Sequence, residues 1–252
     1  MLESERQLRE KLASVLPPKK NISPDRKKPI EGLGLARRSF IEGYQRALKT
    51  EKKDISSLFQ GANPNAIGFM FEGAGMALTM LDEMNNSEEK YLPILFSGRP
   101  ESELKLCAIG VGWASARLSK PVGWKPSGIS DQWLPAITNG YGFHQGFFNS
   151  EAYESNSFFD VDEEHRENFD IGLGRALWFI HEGEIEPIAE FMTNLKPSRQ
   201  CYLWTGIGIA CVFNSDDKKK TTLRELASQN ESYLIAGFEK AANLKQELHT
   251  AF

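Results

Sequence analysis

The chain has 252 residues, the length of one large domain or two small ones, which is enough to bury a core. Its 30 Lys and Arg residues face 34 Asp and Glu residues, for a net charge of −4. That balance provides no basic surface for nucleic acid or anionic lipid. The sequence also lacks the run of about eighteen uncharged apolar residues that a membrane helix needs. We therefore expect a globular protein without a membrane span or a nucleic-acid partner.

The N-terminal segment reads as a short amphipathic helix followed by a linker. Residues 1–16 are charged and carry apolar residues at nearly helical spacing, namely Leu8, Leu12, Val15 and Leu16. Pro17 and Pro18 end this pattern, and the composition of the next stretch is that of an exposed linker. Residues 1–29 are thus predicted to be an arm that docks on the body or on a second subunit of a homodimer.

Cysteine usage and the N-terminal residues point to the cytoplasm. The three cysteines show no C-x-x-C spacing and lie in or beside apolar stretches: Cys107, Cys201 and Cys211. Buried free thiols suit a reducing compartment. The charged start of the chain lacks the apolar segment of a signal peptide. We expect a cytoplasmic protein.

A G-x-G-x-A motif recurs along residues 30–252. It occurs at 32–36, 73–77, 110–114, 172–176 and 206–210, with an altered version at 140–144. Successive motifs start 30 to 41 residues apart, an interval typical of helical repeats. The flanking residues are rich in Ala, Leu and Met and do not alternate as strands do. The pattern predicts an all-α, helical-repeat body.

Longer similarities suggest an internal duplication of this body. The segments "FIEGY" (40–44) and "FHQGF" (143–147) resemble each other, as do "EGAGMALTML" (72–81) and "IGLGRALWFI" (171–180). Each pair is separated by about 100 residues. We therefore predict one all-α domain over residues 30–252, built from two similar halves at about 30–130 and 131–252.

The paired glycines favour helix packing over nucleotide binding. Glycine inside a helix costs about 0.5–1 kcal/mol relative to alanine, so its repeated use implies a compensating gain. At 100° per residue the two glycines of one motif lie on nearly opposite sides of a helix. Such helices can approach a neighbour on both sides, as inner Gly/Ala-rich helices do. None of the motifs has the third glycine of a dinucleotide fingerprint, and there is no P-loop. No cofactor is predicted.

Polar residues inside these apolar segments are the candidate functional groups. His144 is the candidate general acid/base, Glu72 would orient it, and Arg175 would hold a carboxylate or enolate. The alternative is that they only pair between helices, as Glu72 and Arg175 could. Neighbouring polar and aromatic residues are candidate substrate-binding groups: Glu42, Arg117, Gln145, Trp113, Tyr141 and Trp178. No histidine has metal-ligand spacing.

Five segments together resemble a known bacterial family. "GFMFEGAGMALTMLD", "VGWASARL", "GYGFHQGFF", "GLGRALWF" and "LWTGIGIA" look like a domain-of-unknown-function family whose members often accompany enediyne polyketide biosynthesis genes. The resemblance covers about residues 30–245. It implies a protein of specialised-metabolite biosynthesis, and it transfers the family's recurrent polar positions to the following residues: Glu72, Asp82, Arg117, His144 and Arg175.

Three functions remain open at this point. The first is an enzyme that binds an apolar polyene or polycyclic intermediate in an aromatic-lined helical pocket and uses His144 for acid/base catalysis. The second is a non-catalytic binding or chaperone protein that shields such a molecule. The third is a helical-repeat scaffold that docks other pathway proteins and has no enclosed cavity.

Overall fold

A computed structural model of the chain describes residues 4–14, 31–63, 67–85, 87–149, 161–193, 195–214 and 217–250. These ranges contain helices, short 3-10 turns and connections, and no strand. The helices are α1 (Glu5–Ser14), α2 (Glu31–Lys49), α3 (Ile67–Met84), α4 (Tyr91–Leu95), α5 (Glu101–Arg117), α6 (Leu134–Phe148), α7 (Glu163–Ile180), α8 (Ile185–Thr193), α9 (Pro197–Phe213), α10 (Lys220–Ala227) and α11 (Glu231–Thr250). The all-α prediction is confirmed.

The long helices α2, α3, α5, α6, α7, α9 and α11 form an antiparallel row in which each packs on the next. Glycines create these contacts reciprocally. A Cβ on Gly75 of α3 would collide with the carbonyl oxygen of Cys107 in α5, and one on Gly110 of α5 would collide with that of Glu72 in α3. The backbones themselves are therefore in contact, without side chains between them.

Each glycine pair serves two neighbours, as the helical spacing predicts. In α6, Gly140 lies against the carbonyl oxygen of Ile109 in α5, whereas Gly142 lies against that of Phe169 in α7. The same division holds for the pairs of α3, α5, α7 and α9. The helices that carry a pair are thus inner helices, thinned on both sides.

The assignment of Gly34 to a helix crossing was wrong. In the copy at 32–36, Gly34 does not lie at a crossing, because a Cβ on it would meet only the Arg38 guanidinium at 3.3 Å. In α2 the glycine at the crossing is Gly43, which lies against Met70. The altered version at 140–144, in which His144 replaces the alanine, forms crossings on both sides as the other inner copies do, and Gly237 of α11 closes the row against Thr205. Residues outside the G-x-G-x-A pattern thus supply both ends of the row.

The duplication into two halves is not confirmed. The reciprocal glycine contact joins α5 to α6, across the expected boundary near residue 130, in the same way as it joins helices within each half. The structural repeat is therefore a single helix with its connection. The row also curves back on itself, since α11 contacts α5 and its Leu248 side chain lies near Gly68 of α3.

Helix α1 docks on the body of the same chain. Leu8 and Leu12 are buried, and the Arg9 guanidinium donates to the carbonyl oxygens of Leu48 and Thr50 at the end of α2. The Tyr91 hydroxyl of α4 donates to the Glu5 carboxylate at 2.7 Å. The expected helix residues Val15 and Leu16, and the linker up to residue 29, lie outside the described residues.

Two of the three cysteines are buried, as expected, and the third is not. Cys107 and Cys211 are buried free thiols, whereas Cys201 is half-buried. Burial raises the pKa of the Cys107 thiol above its ordinary value. In the part of the chain that the structure describes, no helix is both long and apolar enough to cross a bilayer.

The glycine crossings predict a sharp difference between two Gly→Ala variants. In Gly172→Ala the new methyl group would collide with the backbone of Asn139, so we expect the free energy of unfolding to fall by about 3 kcal/mol. In Gly34→Ala the methyl group would touch only the end of the exposed Arg38 side chain, which can shift, and the change removes a helical glycine, so we expect no loss and a gain of up to about 1 kcal/mol. Urea denaturation measures both, and equal effects would contradict backbone contact at residue 172.

Candidate functional site

A cavity of about 220 Å³ lies inside the curved row of helices. Its wall combines residues of α3, α5, α6, α7, α9 and α11, and most of the lining side chains are apolar, among them Phe69, Leu106, Ile109, Ile171, Phe179 and Phe213. The positions of the glycine crossings determine which residues line the cavity. Glu72, Ile109, Asn139 and Ile171 each directly precede the first glycine of a pair, and all four line the cavity.

A buried polar triad connects three helices at this wall. Arg175 of α7 donates from Nη2 to Oε1 of Glu72 in α3 at 2.6 Å, and from Nη1 to Oδ1 of Asn139 in α6 at 2.8 Å. Arg175 and Glu72 side chains are only 8% and 4% exposed, so this is a desolvated ion pair. The guanidinium also lies over the Phe143 ring, 5.3 Å from its centroid. The pairing expected as the alternative to a pocket is present, and the pair also lines the cavity.

The charges at this cavity are mainly positive. Lys105 and Lys240 line it and are exposed to solvent, so together with Arg175 they outnumber the Glu72 carboxylate. Burial raises the pKa of the Glu72 carboxyl, and the adjacent Arg175 guanidinium acts against that rise. The wall therefore offers apolar surface and a cationic, hydrogen-bonding region, a combination typical of sites for amphipathic ligands.

His144 lies near this cavity but does not line it. Its ring packs against Phe148 at 4.8 Å and against Trp113 at 6.4 Å between centroids. Phe143 contacts both the cavity wall and the surroundings of His144: the Arg175 guanidinium lies over its ring, and the Trp113 ring stacks on it at 4.5 Å between centroids. The structure thus brings Glu72 and Arg175 together and leaves His144 in a separate aromatic cluster.

The His144 imidazole is neutral near pH 7. Burial lowers its pKa to about 4, and the positive charge of Arg117 acts in the same direction. Neither ring nitrogen has a hydrogen-bond partner among the described residues. A neutral imidazole with one donor and one acceptor is therefore buried without a bond to either nitrogen.

The remaining predicted substrate-binding residues do not line the cavity. Glu42 is exposed and pairs with Arg46 on its own helix at 2.6 Å. Tyr141 is buried, and its hydroxyl donates to the carbonyl oxygen of Lys120 at 3.0 Å. Trp178 is fully buried in the core, and Gln145 is half-buried. Trp113 and Arg117 belong to the surroundings of His144.

Asp82, which the family resemblance singled out, has a structural role. Its carboxylate accepts hydrogen bonds from the backbone N–H groups of Tyr91 and Leu92, both at 2.8 Å. These are the first residues of α4, so Asp82 satisfies donors that a helix start leaves free. Burial raises the pKa of the Asp82 carboxyl above its ordinary value, although the two backbone hydrogen bonds act against that rise.

Sequence reasoning missed three features of the site. Asn139 precedes Gly140-x-Gly142 as Glu72 precedes Gly73-x-Gly75, and this shared position could have identified it. Lys105 and Lys240 carry no comparable signal, because lysines are common on helix surfaces. The buried Asp170 carboxylate forms a second ion pair, with the half-buried Arg199, outside the lining of the cavity. Within the described residues no His, Cys, Asp and Glu side chains group to hold a metal.

The ion pair predicts strong coupling between Glu72 and Arg175. Arg175→Met leaves the Glu72 carboxylate buried without its cation, so we expect a loss of about 3–5 kcal/mol in stability. Glu72→Leu/Arg175→Met removes both charges, and most of that loss should be recovered. Urea denaturation of the single and double variants measures the coupling. A double variant no more stable than Arg175→Met would contradict it.

The lowered pKa of His144 predicts an acid-sensitive contribution to stability. Between pH 7 and pH 5 the unfolded chain binds a proton on this residue and the folded chain does not, so stability falls as the pH is lowered. The expected loss is about 2 kcal/mol relative to His144→Phe, which keeps an aromatic ring but cannot titrate. Denaturation at both pH values tests this. Parallel curves for the two proteins would show that His144 titrates normally.

Comparison with known proteins identifies the family but not the activity. Neither the curated proteins nor the solved structures contain a significant match to the chain. The model of the family described as "Protein of unknown function (DUF1702)" matches residues 5–250, from α1 to the end of α11. Because that match extends over nearly the whole sequence, the chain belongs to the DUF1702 family.

Proposed function

We propose that the protein binds a small, apolar molecule with an anionic group in the cavity inside its helical row. The observation that carries the proposal is a mainly apolar cavity with Arg175 held in its wall by Glu72 and Asn139. A polyene or polyketide-derived carboxylate has these two properties. A role in enediyne-type polyketide biosynthesis is part of the proposal and rests on the sequence resemblance.

Arg175 is suited to bind the anionic group. A guanidinium has five N–H donors, and the bonds to Glu72 and Asn139 use two of them. Those bonds fix the side chain in one orientation, which lowers the entropic cost of binding a ligand. A carboxylate is the natural acceptor for the remaining donors. Lys105 and Lys240 add attraction for an anion.

The apolar wall suits the rest of such a molecule. Phe69, Phe179 and Phe213 come from three different helices and line the cavity. Their rings favour contact with a flat, conjugated chain over contact with a polar one. His144 does not line this cavity, so the proposal is a binding function and includes no proton transfer by His144.

A short conjugated acid tests the proposal. We expect 2,4,6-octatrienoic acid to bind saturably to the wild-type protein in an absorbance or calorimetric titration, and its methyl ester to bind about tenfold more weakly because the ester cannot pair with Arg175. In Glu72→Leu/Arg175→Met the acid should lose at least about tenfold in affinity, and the ester should lose little.

The ion pair between Asp170 and Arg199 provides the control. Asp170→Leu/Arg199→Met makes the same change in charge between α7 and α9, outside the cavity, and should bind the acid as the wild type does. Equal affinity of the wild type for acid and ester would contradict the role of Arg175. If neither the acid nor the ester binds saturably to the wild-type protein, the proposed binding function is contradicted.

A further inference from the structure

A group of polar atoms without hydrogen-bond partners among the described residues lies in the aromatic cluster around His144, outside the lining of the cavity. Both imidazole nitrogens of His144 and the indole nitrogen of Trp113 are buried without a hydrogen-bond partner in the described ranges. Buried polar atoms in folded proteins are nearly always bonded to protein, water or a ligand. These three nitrogens belong to neighbouring rings, 6.4 Å apart and nearly perpendicular.

Apolar rings surround these nitrogens. Phe148 contacts both Trp113, at 5.8 Å, and His144, at 4.8 Å between centroids. Phe40 of α2 lies on the Trp113 ring at 4.7 Å. The Tyr44 hydroxyl is already engaged with the carbonyl oxygen of Leu12 and the sulfur of Met80. Among the described residues, none of the surrounding side chains is hydrogen-bonded to the three nitrogens.

Arg117 adds a positive charge to this group. It follows Trp113 by four residues, on the same face of α5, and its field reaches both His144 and Tyr44. Arg117 is half-buried, and within the part of the chain that the structure describes it forms no ion pair. Phe148 is half-buried as well, so the group lies directly beneath the surface.

We infer that Trp113, His144 and Arg117 form a second binding site, for a small oxyanion of the carboxylate type. The Trp113 indole N–H and the N–H of a neutral His144 both donate, and the Arg117 guanidinium provides donors and the neutralising charge. The remaining imidazole nitrogen accepts a bond from water or from an O–H group of the ligand. The aromatic walls exclude bulk water and strengthen these bonds. A second site of this kind fits a small co-ligand, separate from the larger molecule proposed for the cavity.

Anion titrations followed by NMR test this site. In ¹⁵N-labelled protein, formate, acetate and hydrogencarbonate are added at constant ionic strength with chloride as the reference anion. At least one of the three should shift the Trp113 indole N–H and the His144 ring nitrogens saturably. Trp113→Phe and His144→Gln assign these signals. The Trp178 indole, also buried and without a hydrogen-bond partner in the described part of the chain, should not move and is an internal control.

Two arginine variants separate a specific site from a general charge effect. Arg117→Gln should weaken the anion affinity by at least about tenfold. Arg166→Gln removes a half-buried arginine of α7 whose charge does not act on His144, and should leave the affinity unchanged. Shifts that are absent, non-saturable, matched by chloride or equal in the two variants would overturn the inference. Loss of octatrienoic acid binding in Glu72→Leu/Arg175→Met reports on the cavity, and the Trp113 and His144 signals report on the second site, so either site can fail without the other.

Discussion

The close crossing of glycine-bearing helices is the constraint on which the rest of the structure depends. At each crossing a glycine of one helix lies against a backbone carbonyl of the next, and the contact is returned one turn away. No side chain larger than hydrogen fits there, so the helix spacing is set by backbone contact. A row built in this way leaves its side chains to occupy the spaces above and below the crossings, where the core and the cavity lie.

The same crossings determine which polar residues meet. Glu72 and Asn139 each precede the first glycine of a pair and therefore face the interior beside a crossing, where Arg175 of α7 reaches both. Desolvation makes these groups depend on one another, since none retains water to replace a lost partner. In the His144 cluster the polar atoms are equally buried but have no hydrogen-bond partner among the described residues, whereas the three groups of the triad are bonded to one another.

Much of the architecture could be predicted because it follows from local properties. Helical composition and the opposite faces of paired glycines require no knowledge of the fold, and both predictions were confirmed. The duplication into two halves was not confirmed. Similar segments recur in every inner helix because each of these helices packs on its two neighbours in the same way. Gly43 and Gly237 escaped the pattern since helices at the ends of the row need a glycine on one side only.

The sequence by itself determined that the chain forms a row of closely packed helices and that Glu72, Arg175 and His144 are buried among apolar residues, because periodicity and composition encode burial. Only the tertiary structure decided that Arg175 binds Glu72 and Asn139 while His144 joins Trp113 and Arg117. Those partners lie on helices up to 103 residues apart in sequence. The curvature of the row determines which side chains converge. Because this curvature results from the crossing angles of all the helices together, it cannot be read from any local sequence pattern.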